Sequence, residues 1–236
     1  MSTSAPSPPL DHEQLQALRR LDACLLANTI ETFNLRLRNE GFVDHTVRSL
    51  FPEFAPMVGY AATVRIRGSA PPMAGTAFSD RGEWWDYIAQ LPAPRVVVVQ
   101  DVGSRPGLCS LVGEVHMEVL RQLRCVGVIT NGSVRDIPAA RSAGFHYFAG
   151  SIAVSHGYVH VVDFGQQVQI GGLKIGSGEL LHGDLHGVQS VPLSIAAQLP
   201  AAAAAIRARE QALIALCRAP DFTLEKLRRL LGTLSP

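Results

Sequence analysis

The sequence predicts one α/β domain with parallel βαβ units, a mainly β layer, and helices at both ends. Three observations indicate this fold class. Apolar strand-like segments alternate with helical segments between residues 95 and 149, as parallel strands joined by crossover helices do. Short apolar segments separated by glycines fill residues 158–191, which is typical of turn-linked β-strands. The 236 residues, 47% hydrophobic and 17% charged, suit a single compact domain.

Composition argues against two classes of protein. With 21 basic and 20 acidic side chains the net charge is +1, and no long stripe of Lys or Arg is present, so we expect no nucleic-acid binding. No apolar run reaches the roughly 18 to 20 residues that span a bilayer. Residues 1–9 lack the basic and apolar regions of a signal peptide and are expected to form a disordered tail. We therefore expect a cytoplasmic protein.

The cysteines show neither a CxxC spacing nor a zinc-ligand pattern with paired histidines. They are therefore expected to be buried free thiols, with a catalytic Cys109 as the alternative. The four are Cys24, Cys109, Cys125 and Cys217.

Two helices and a strand are predicted in the first part of the chain. Asp11 and Gln14 have the spacing of a capping box, and leucines follow at helical intervals. A second helix is expected over residues 29–38, ending before Gly41. Residues 58–67 are rich in β-branched side chains and predict a strand.

The middle of the chain alternates between helices and strands. A short helix over residues 84–91 ends before a proline. The apolar run RVVVVQD is typical of a strand buried on both faces. The succession predicted from there is a strand at 95–101, a helix at 111–123, a strand at 126–130, a helix at 136–142 and a strand at 147–149.

Two C-terminal helices are predicted beyond the β layer. The first is Ala-rich, covers residues 194–218 and contains an early break at Pro200. The second is amphipathic and covers residues 223–231. We place the α/β domain at residues 10–195, with the helices of residues 196–236 packed on it or on a neighbouring subunit.

Candidate site residues lie where two of the apolar strands end. Residues 130–136 (TNGSVRD) end one strand, and a Gly/Ser/Pro loop at 102–110 leads from another into a helix. Open α/β sheets bind ligands outside the carboxyl ends of their strands. If the two strands are neighbours, the N-terminus of the 111–123 helix lies beside Arg135 and Asp136.

These residue types suit the binding of an oxo acid and a metal. A helix N-terminus stabilises a carboxylate or enolate oxygen, and Arg135 can bind a carboxylate with two hydrogen bonds. Asp136 is a hard oxygen ligand suited to Mg²⁺, and Glu114 could bind a metal-bound water or move a proton. On residue types alone, an Arg–Asp pair that stabilises a turn is the alternative.

The spacing and four sequence segments resemble the RraA-like family. Glu114, twenty intervening residues, and then Arg135-Asp136 give its acid-X20-Arg-Asp arrangement. The family includes class II aldolases acting on 4-hydroxy-4-methyl-2-oxoglutarate and 4-carboxy-4-hydroxy-2-oxoadipate, and the resemblance covers roughly residues 20–195. Its segments are GYAATV at 59–64, GVITNGSVRD at 127–136, IGG at 170–172 and GDLHGV at 183–188.

The resemblance implies an RraA-like single domain and a divalent-metal-dependent aldolase. The enzyme would cleave a 4-hydroxy-2-oxo acid to pyruvate and a second oxo acid, with oxaloacetate decarboxylation as a side activity. By the same resemblance, Arg135 binds the pyruvyl carboxylate, Asp136 holds Mg²⁺ or Mn²⁺ partly through waters, and Glu114 lies near those waters. The backbone N–H groups of Val115 and His116 would hold pyruvate oxygens. Family members are homotrimers or homohexamers with sites at subunit interfaces.

The sequence departs from the family pattern in three places. The acid is Glu114, where the family often has Asp; residues 103–110 contain fewer glycines than the family loop; and Ser177-Gly178-Glu179 replaces a Pro-Gly-Asp turn. Other family members lack the acid and bind an RNA-degrading enzyme. A non-catalytic regulator that binds a partner protein is therefore the alternative function, although Glu114 favours catalysis.

Four histidines near the β layer are expected to make structural hydrogen bonds, with a substrate, interface or zinc role as alternatives. They are His156, His160, His182 and His186. The His116 side chain follows the predicted anion-binding turn, and contact with substrate or proton supply is a hypothesis for it.

The remaining candidates have mainly structural interpretations. Asp184 is expected to cap a turn, and Asp101 is either structural or a support to the metal site. Trp84 and Trp85 are expected to pack in the core or at an interface. Lys174 falls among short strands and turns, which argues against a Schiff-base aldolase.

Overall fold

The computed structural model describes residues 9–72 and 81–234, which form one mixed sheet with helices packed against it. The tail expected at residues 1–9 falls almost entirely outside this part of the chain. The helices are α1 (His12–Arg19), α2 (Ala23–Glu31), α3 (Arg81–Gln90), α4 (Glu114–Gln122), α5 (Ile137–Ser142), α6 (Leu199–Arg218) and α7 (Leu224–Leu234). The strands are β1 (Arg48–Ser49), β2 (Met57–Arg67), β3 (Arg95–Asp101), β4 (Cys125–Val134), β5 (His146–Ile152), β6 (His160–Phe164), β7 (Val168–Ile170), β8 (Leu173–Ile175), β9 (Leu180–Asp184) and β10 (Gly187–Val191).

The predicted parallel unit is confirmed and forms the centre of the sheet. Strands β2, β3, β4 and β5 lie side by side and pair in parallel, with α3, α4 and α5 as the crossover helices. The sheet order is β1-β5-β4-β3-β2-β9-β10, and β6 pairs with β2 as well. Strands β7 and β8 form a separate antiparallel hairpin. The mainly β character predicted for residues 158–191 is thus confirmed.

The core divides into layers on the two faces of the sheet. On one face, α3, α4 and α5 bury side chains such as Trp84, Met117 and Ala140 against β2, β3 and β4. Near the β9 side, α1, α2 and α6 bury a leucine-rich cluster against Tyr60 and Leu180. The β7–β8 hairpin covers a third cluster on the strands. Because both faces are covered, the central strands have continuous apolar sequences, and this is why their sequences predict them.

The second helix lies earlier than predicted. The Asp11–Gln14 capping box is confirmed at the start of α1, but the expected helix over residues 29–38 is wrong. Asp22 begins a new helix, because its side chain accepts a hydrogen bond from the backbone N–H of Leu25 at 2.8 Å. That helix ends at Glu31, and turns follow.

Strand β4 continues beyond the predicted end at Thr130. The sequence predicts a loop for residues 131–134, but they continue the strand to Val134 and pair with the end of β5. The Asn131 side chain accepts a hydrogen bond from the backbone N–H of Asp101 and donates one to its carbonyl, at 2.8 and 3.1 Å. This amide bridge to β3 extends the sheet through a segment rich in turn-forming residues.

The C-terminal helices begin later than the sequence predicts. Helix α6 starts at Leu199, so Pro200 lies in its first turn, where proline is tolerated, and does not break a helix begun at residue 194. Helix α6 packs on α2, and α7 packs on α6. In the described residues no helix is long and apolar enough to span a membrane.

The expectation of buried thiols holds for only two of the cysteines. Cys109 and Cys125 are buried, and the Cys109 thiol donates a hydrogen bond to the Gly68 carbonyl at 3.1 Å, a structural role. Cys24 and Cys217 are exposed on α2 and α6, because each falls on the outer face of its helix.

Candidate active site

The site forms where β3 and β4 end side by side. These strands are parallel neighbours, so the loop after β3 runs beside the end of β4. A bridge joins Ser110 to Ser133, and the backbone N–H of Arg135 donates to the Val112 carbonyl at 3.4 Å. The sequence predicts that the helix N-terminus lies beside Arg135 and Asp136 if the two strands are neighbours. The strands are neighbours, and these groups do lie side by side.

Gly113 is the point of closest approach between the two segments. It is the N-cap residue of α4, and a Cβ at this position would lie 2.6 Å from both Arg135 Nε and Asp136 Oδ2. A real Cβ atom cannot approach so closely, so only glycine fits without moving the Arg-Asp pair. The start of α4 is at Glu114, three residues later than the predicted helix.

Asp136 connects the two helices of the site. Its Oδ2 atom accepts a hydrogen bond from the backbone N–H of Glu114, the first residue of α4, at 2.8 Å. Asp136 is also the N-cap of α5 and has left-handed backbone angles, φ 56° and ψ 44°. Such a conformation costs a non-glycine residue about 1 to 3 kcal/mol and is concentrated at functional sites. The side chain is 39% exposed, so the carboxylate is accessible from outside.

Arg135 is held by contacts on one edge of its guanidinium. Its Nε atom lies 3.8 Å from Asp136 Oδ2, is buried, and has no hydrogen-bond partner among the described residues. The side chain as a whole is 32% exposed. Asp136 and Gly113 thus fix the orientation of a cationic fork that can bind a carboxylate.

The first turn of α4 supplies backbone donors beside this pair. The N-cap Gly113 has no side chain to cap the helix, and the first intrahelical bond runs from Met117 N–H to the Gly113 carbonyl at 2.8 Å. The N–H groups of Val115 and His116 make no hydrogen bond to another described residue. Unpaired donors at a helix N-terminus favour an anionic oxygen.

The His116 side chain points into the helix layer and is engaged there. Its Nε2 atom accepts a hydrogen bond from the Trp85 indole at 3.1 Å, and its Nδ1 atom lies 3.1 Å from the Leu111 carbonyl. A neutral ring protonated at Nδ1 satisfies both contacts, and burial lowers the pKa of His116. Both ring nitrogens are therefore occupied, which argues against proton supply by this side chain and leaves its backbone N–H as the candidate contact.

The donor set fits a magnesium- or manganese-type ion. Asp136 offers an accessible carboxylate, and Glu114, whose backbone N–H donates to it, carries an exposed carboxylate in the first turn of α4. In the part of the chain that the structure describes, no group of three or more His, Cys, Asp or Glu is placed to hold a metal. Mg²⁺ does not require one, since it commonly uses one or two carboxylates and keeps several waters.

Two other aspartates have structural roles. Asp101 is buried and accepts hydrogen bonds from the backbone N–H groups of Gly103 and Gly107 at 2.9 and 3.0 Å, which fixes the loop after β3. Asp184 accepts from the N–H groups of Ala23 and His186, each at 2.8 Å. The predicted turn-capping role of Asp184 is confirmed, and it also caps the start of α2.

The four histidines of the β region each make the expected structural hydrogen bond. The partners are the carbonyls of Gly157, Tyr158 and Leu21 for His156, His160 and His182, and the Asp184 carboxylate for His186.

The tryptophans and Lys174 are placed as expected. Trp84 is fully buried, whereas Trp85 is partly buried and contacts His116. Lys174 is exposed on the β7–β8 hairpin, apart from the Arg135 site.

Reasoning from the sequence misses two residues that shape the site. Gly113 is not singled out there, although a glycine directly before a helix that faces a charged pair indicates a close backbone approach. Asn131 falls in a predicted loop, and its side-chain bridge between strands has no signal in one sequence.

Comparison with known proteins gives a consistent result. A family model described as RraA-like, Aldolase/RraA, matches residues 22–189. Protein DlpA from Legionella pneumophila subsp. pneumophila is 27% identical over 156 residues, which are 65% of this chain and 24% of DlpA. The match thus spans about a quarter of that larger relative.

Solved structures share the fold. A protein from Pseudomonas syringae pv. tomato str. DC3000 has a TM-score of 0.73 at 22% identity, with 97% of this chain and 99% of that chain covered. Streptomyces coelicolor RraAS2, described as an unusual member of the RNase ES inhibitor RraA family, has a TM-score of 0.68 at 20% identity, with 87% and 98% covered.

Proposed function

Because the chain belongs to the RraA-like family, we propose that it is a divalent-metal-dependent lyase that cleaves a 4-hydroxy-2-oxo acid to pyruvate and a second oxo acid. One observation carries the proposal: Arg135, Asp136 and the N-terminus of α4 meet around Gly113. A carboxylate-binding fork, a metal-binding carboxylate and unpaired backbone donors are the groups that a 2-oxo acid requires.

In this proposal each group acts on a defined part of the substrate. The Arg135 guanidinium binds the C1 carboxylate, and the N–H groups of Val115 and His116 donate to substrate oxygens. Asp136 and Glu114 hold Mg²⁺ or Mn²⁺, which supplies Lewis-acid polarisation of the 2-oxo group when bound. In the same proposal Glu114 relays a proton.

The proposed bond cleavage is a retro-aldol reaction. A base removes the 4-hydroxyl proton, the C3–C4 bond breaks, and its electron pair moves towards the C2 oxygen as the second oxo acid leaves. Protonation at C3 then gives pyruvate. Loss of CO₂ from oxaloacetate places the same charge on the same oxygen, so oxaloacetate decarboxylation is the expected side activity.

We further propose a homotrimer or homohexamer in which a neighbouring subunit covers the site. Arg135 and Asp136 are each about a third exposed, which is open for a site that must exclude water. Large apolar side chains near them are exposed as well: Val115 by 82%, Ile152 by 60% and Val154 by 96%. The N–H of Ala153 donates to the Val134 carbonyl, so this apolar segment runs directly beside Arg135.

The first test is pyruvate release from oxaloacetate and from 4-hydroxy-4-methyl-2-oxoglutarate, with Mg²⁺ or Mn²⁺ and then with EDTA. Metal-dependent release from either substrate is the expected result. If folded protein with metal present releases no pyruvate from either substrate, the result would favour the alternative of a non-catalytic regulator that binds a partner protein.

The role of Asp136 is tested by Asp136→Asn. Asparagine tolerates the left-handed backbone and keeps the side-chain shape, but it lacks the charge that holds the cation. We expect metal-dependent turnover to fall by about 100-fold or more, corresponding to about 3 kcal/mol, with little change in melting temperature. Unchanged metal-dependent kinetics in this variant would remove Asp136 from the metal site.

A further inference from the structure

A cavity of about 220 Å³ opens at the edge of the sheet where the parallel strands begin. Met57 and Val58 begin β2, Val126 lies near the start of β4, and His146 begins β5. Helix α1 forms a further wall of the same cavity. The cavity is thus enclosed by a helix on one side and by the first residues of three central strands on the other.

Strand β4 separates this cavity from the Arg135 site. Arg124, which lines the cavity, directly precedes β4, and Arg135 directly follows it. At about 3.3 Å per residue the 10 residues of β4 span about 30 Å, so one small substrate cannot contact both ends. Helix α1 also lies before residue 22, where the match to the RraA-like model begins. The cavity therefore requires a ligand of its own.

Two guanidinium groups line the cavity without a carboxylate partner. The Arg19 Nε atom donates to the Pro56 carbonyl at 2.9 Å, which ties this side chain of α1 to the segment before β2. Within residues 9–72 and 81–234 neither Arg19 nor Arg124 forms an ion pair, and no Asp or Glu of these ranges lines the cavity. Their positive charge is therefore available to an anion.

Arg124 also occupies a backbone conformation that does not favour arginine. Its φ angle is 57°, in the left-handed region where glycine or asparagine is the usual residue. The turn before β4 would form more readily with either of those residues. The side chain of Arg124 is therefore the feature that a role in the cavity explains.

The His146 ring is a buried polar group that faces the same cavity. The residue is 5% exposed, and its ring stacks on Phe148 and meets Phe54 edge-on. In the described part of the chain neither ring nitrogen has a hydrogen-bond partner. Burial, assisted by the charge of Arg19, lowers the pKa of His146 to about 4, so the ring is neutral at pH 7 and carries one N–H donor. A ligand oxygen would satisfy this donor.

Apolar side chains form the rest of the surface. Leu15, Met57 and Val58 are buried and line the cavity beside the polar groups. An inorganic anion would leave this apolar surface uncovered. A ligand that matches both parts has an anionic head and a short apolar tail.

We propose that this cavity binds a small carboxylic acid with a short aliphatic tail. Arg19, Arg124 and His146 hold the carboxylate, and the tail packs on Leu15, Met57 and Val58. The ligand then joins α1 to the strands, so binding stabilises the protein. This inference does not rest on the proposed lyase function.

The test is calorimetric titration of the full chain with hexanoate, hexanamide, acetate and phosphate. We expect one hexanoate per chain and a higher melting temperature in its presence. Hexanamide lacks the charge and acetate lacks the tail, so each should bind about 10-fold more weakly or worse, and phosphate should be no better than acetate. Equal affinity for hexanoate and any of the other three would overturn the proposal, as would absence of hexanoate binding to folded protein.

Arginine variants place the bound acid in the cavity. Arg19 and Arg124 are exposed, so Arg19→Gln and Arg124→Gln should fold, and each should weaken hexanoate binding about 10-fold. Arg20→Gln is the matched control, because Arg20 is the next exposed cation along the chain but lines a separate cavity between α1 and α6. An equal loss in Arg20→Gln, or full affinity in both cavity variants, would overturn the assignment.

Arg135→Gln distinguishes this site from the proposed lyase site. Because Arg135 can also bind a carboxylate, hexanoate affinity must be measured without it. We expect Arg135→Gln to bind hexanoate as the wild-type protein does, whether or not the protein releases pyruvate from any substrate. Loss of binding in Arg135→Gln would assign the acid to the Arg135 site and contradict the cavity.

Discussion

Gly113 illustrates how a residue without a side chain can determine a site. Its Cα atom faces the Arg135 guanidinium and the Asp136 carboxylate, and the α4 N-terminus begins immediately after it. The small size lets the helix N-terminus and the ion pair act on the same space. Each group alone is common in proteins, and their separation decides whether one ligand can contact all of them.

Gly113→Ala should therefore damage the site more than the fold. The added methyl group would lie 2.6 Å from Arg135 Nε and from Asp136 Oδ2, so the pair must shift. Because a displacement of about 1 Å can cost about 100-fold in rate, we expect a comparable loss of pyruvate release. Gly232→Ala is the control, since nothing lies within 4 Å of a Cβ there. Equal activity of the two variants would show that the close approach is unimportant.

At the residue scale, the types of side chain in the site are predictable from the sequence and their contacts are not. The types and spacing of Glu114, Arg135 and Asp136 predict an anion and metal site, and that assignment stays a prediction. The contacts of the His116 ring are not predictable, because its two hydrogen-bond partners come from α3 and from the loop before α4. Contacts between side chains that are distant in sequence leave no local pattern.

At the scale of elements, helix boundaries depend on capping groups from elsewhere in the chain. The start of α1 is predictable because its capping box is local. The start of α2 depends on Asp22 and also on Asp184, which lies 161 residues from Ala23. The apolar spacing of Leu21 and Leu25 continues across the break between the two helices, so periodicity alone places the second helix too late.

Asp184→Ala should destabilise the protein through α2. Asp184 is buried, and its carboxylate accepts the N–H groups of Ala23 and His186, which would be left unsatisfied. We expect the free energy of unfolding to fall by about 2 kcal/mol, as measured by urea titration. The exposed Asp221, which pairs with Lys226, provides the comparison: Asp221→Ala should leave the free energy of unfolding nearly unchanged. Similar losses in both variants would contradict the buried cap.

At the scale of the whole molecule, the order of the central strands is predictable from the alternation of strands and helices along the sequence and from the right-handedness of their crossover connections. Successive parallel strands joined by helices are neighbours, and β2 to β5 follow this rule. The positions of β6, β9 and β10 are not predictable, since β2 is long enough to pair with β9 along one half and with β6 along the other. No local signal chooses which short strand joins which half.

Burial of histidines makes the fold sensitive to acid. Burial on β5 lowers the pKa of His146 from 6.5 to about 4, and burial also lowers the pKa of His182. Below pH 6.5 the histidine is protonated in the unfolded chain but stays neutral in the folded chain. The free energy of unfolding is therefore at its full value above this pH and falls between pH 6.5 and 4. His146 alone should cost about 2 kcal/mol between pH 7 and pH 5.

Urea unfolding at pH 7 and pH 5 measures this effect. The His146→Gln variant should lose less stability on acidification than the wild-type protein, because the titrating group is absent. His45 is exposed and serves as the control, so His45→Gln should keep the wild-type dependence. An identical pH dependence in all three proteins would exclude His146 as the source.

The left-handed backbone of Asp136 also restricts how this site can change during evolution. Asparagine and glycine are the replacements that such angles accept most readily, and each is one base change from aspartate. Both would remove the carboxylate while leaving the turn, α5 and the sheet in place. A lineage could thus lose the proposed metal site in one mutational step and keep an intact domain, with its exposed apolar surface free to be selected for another purpose.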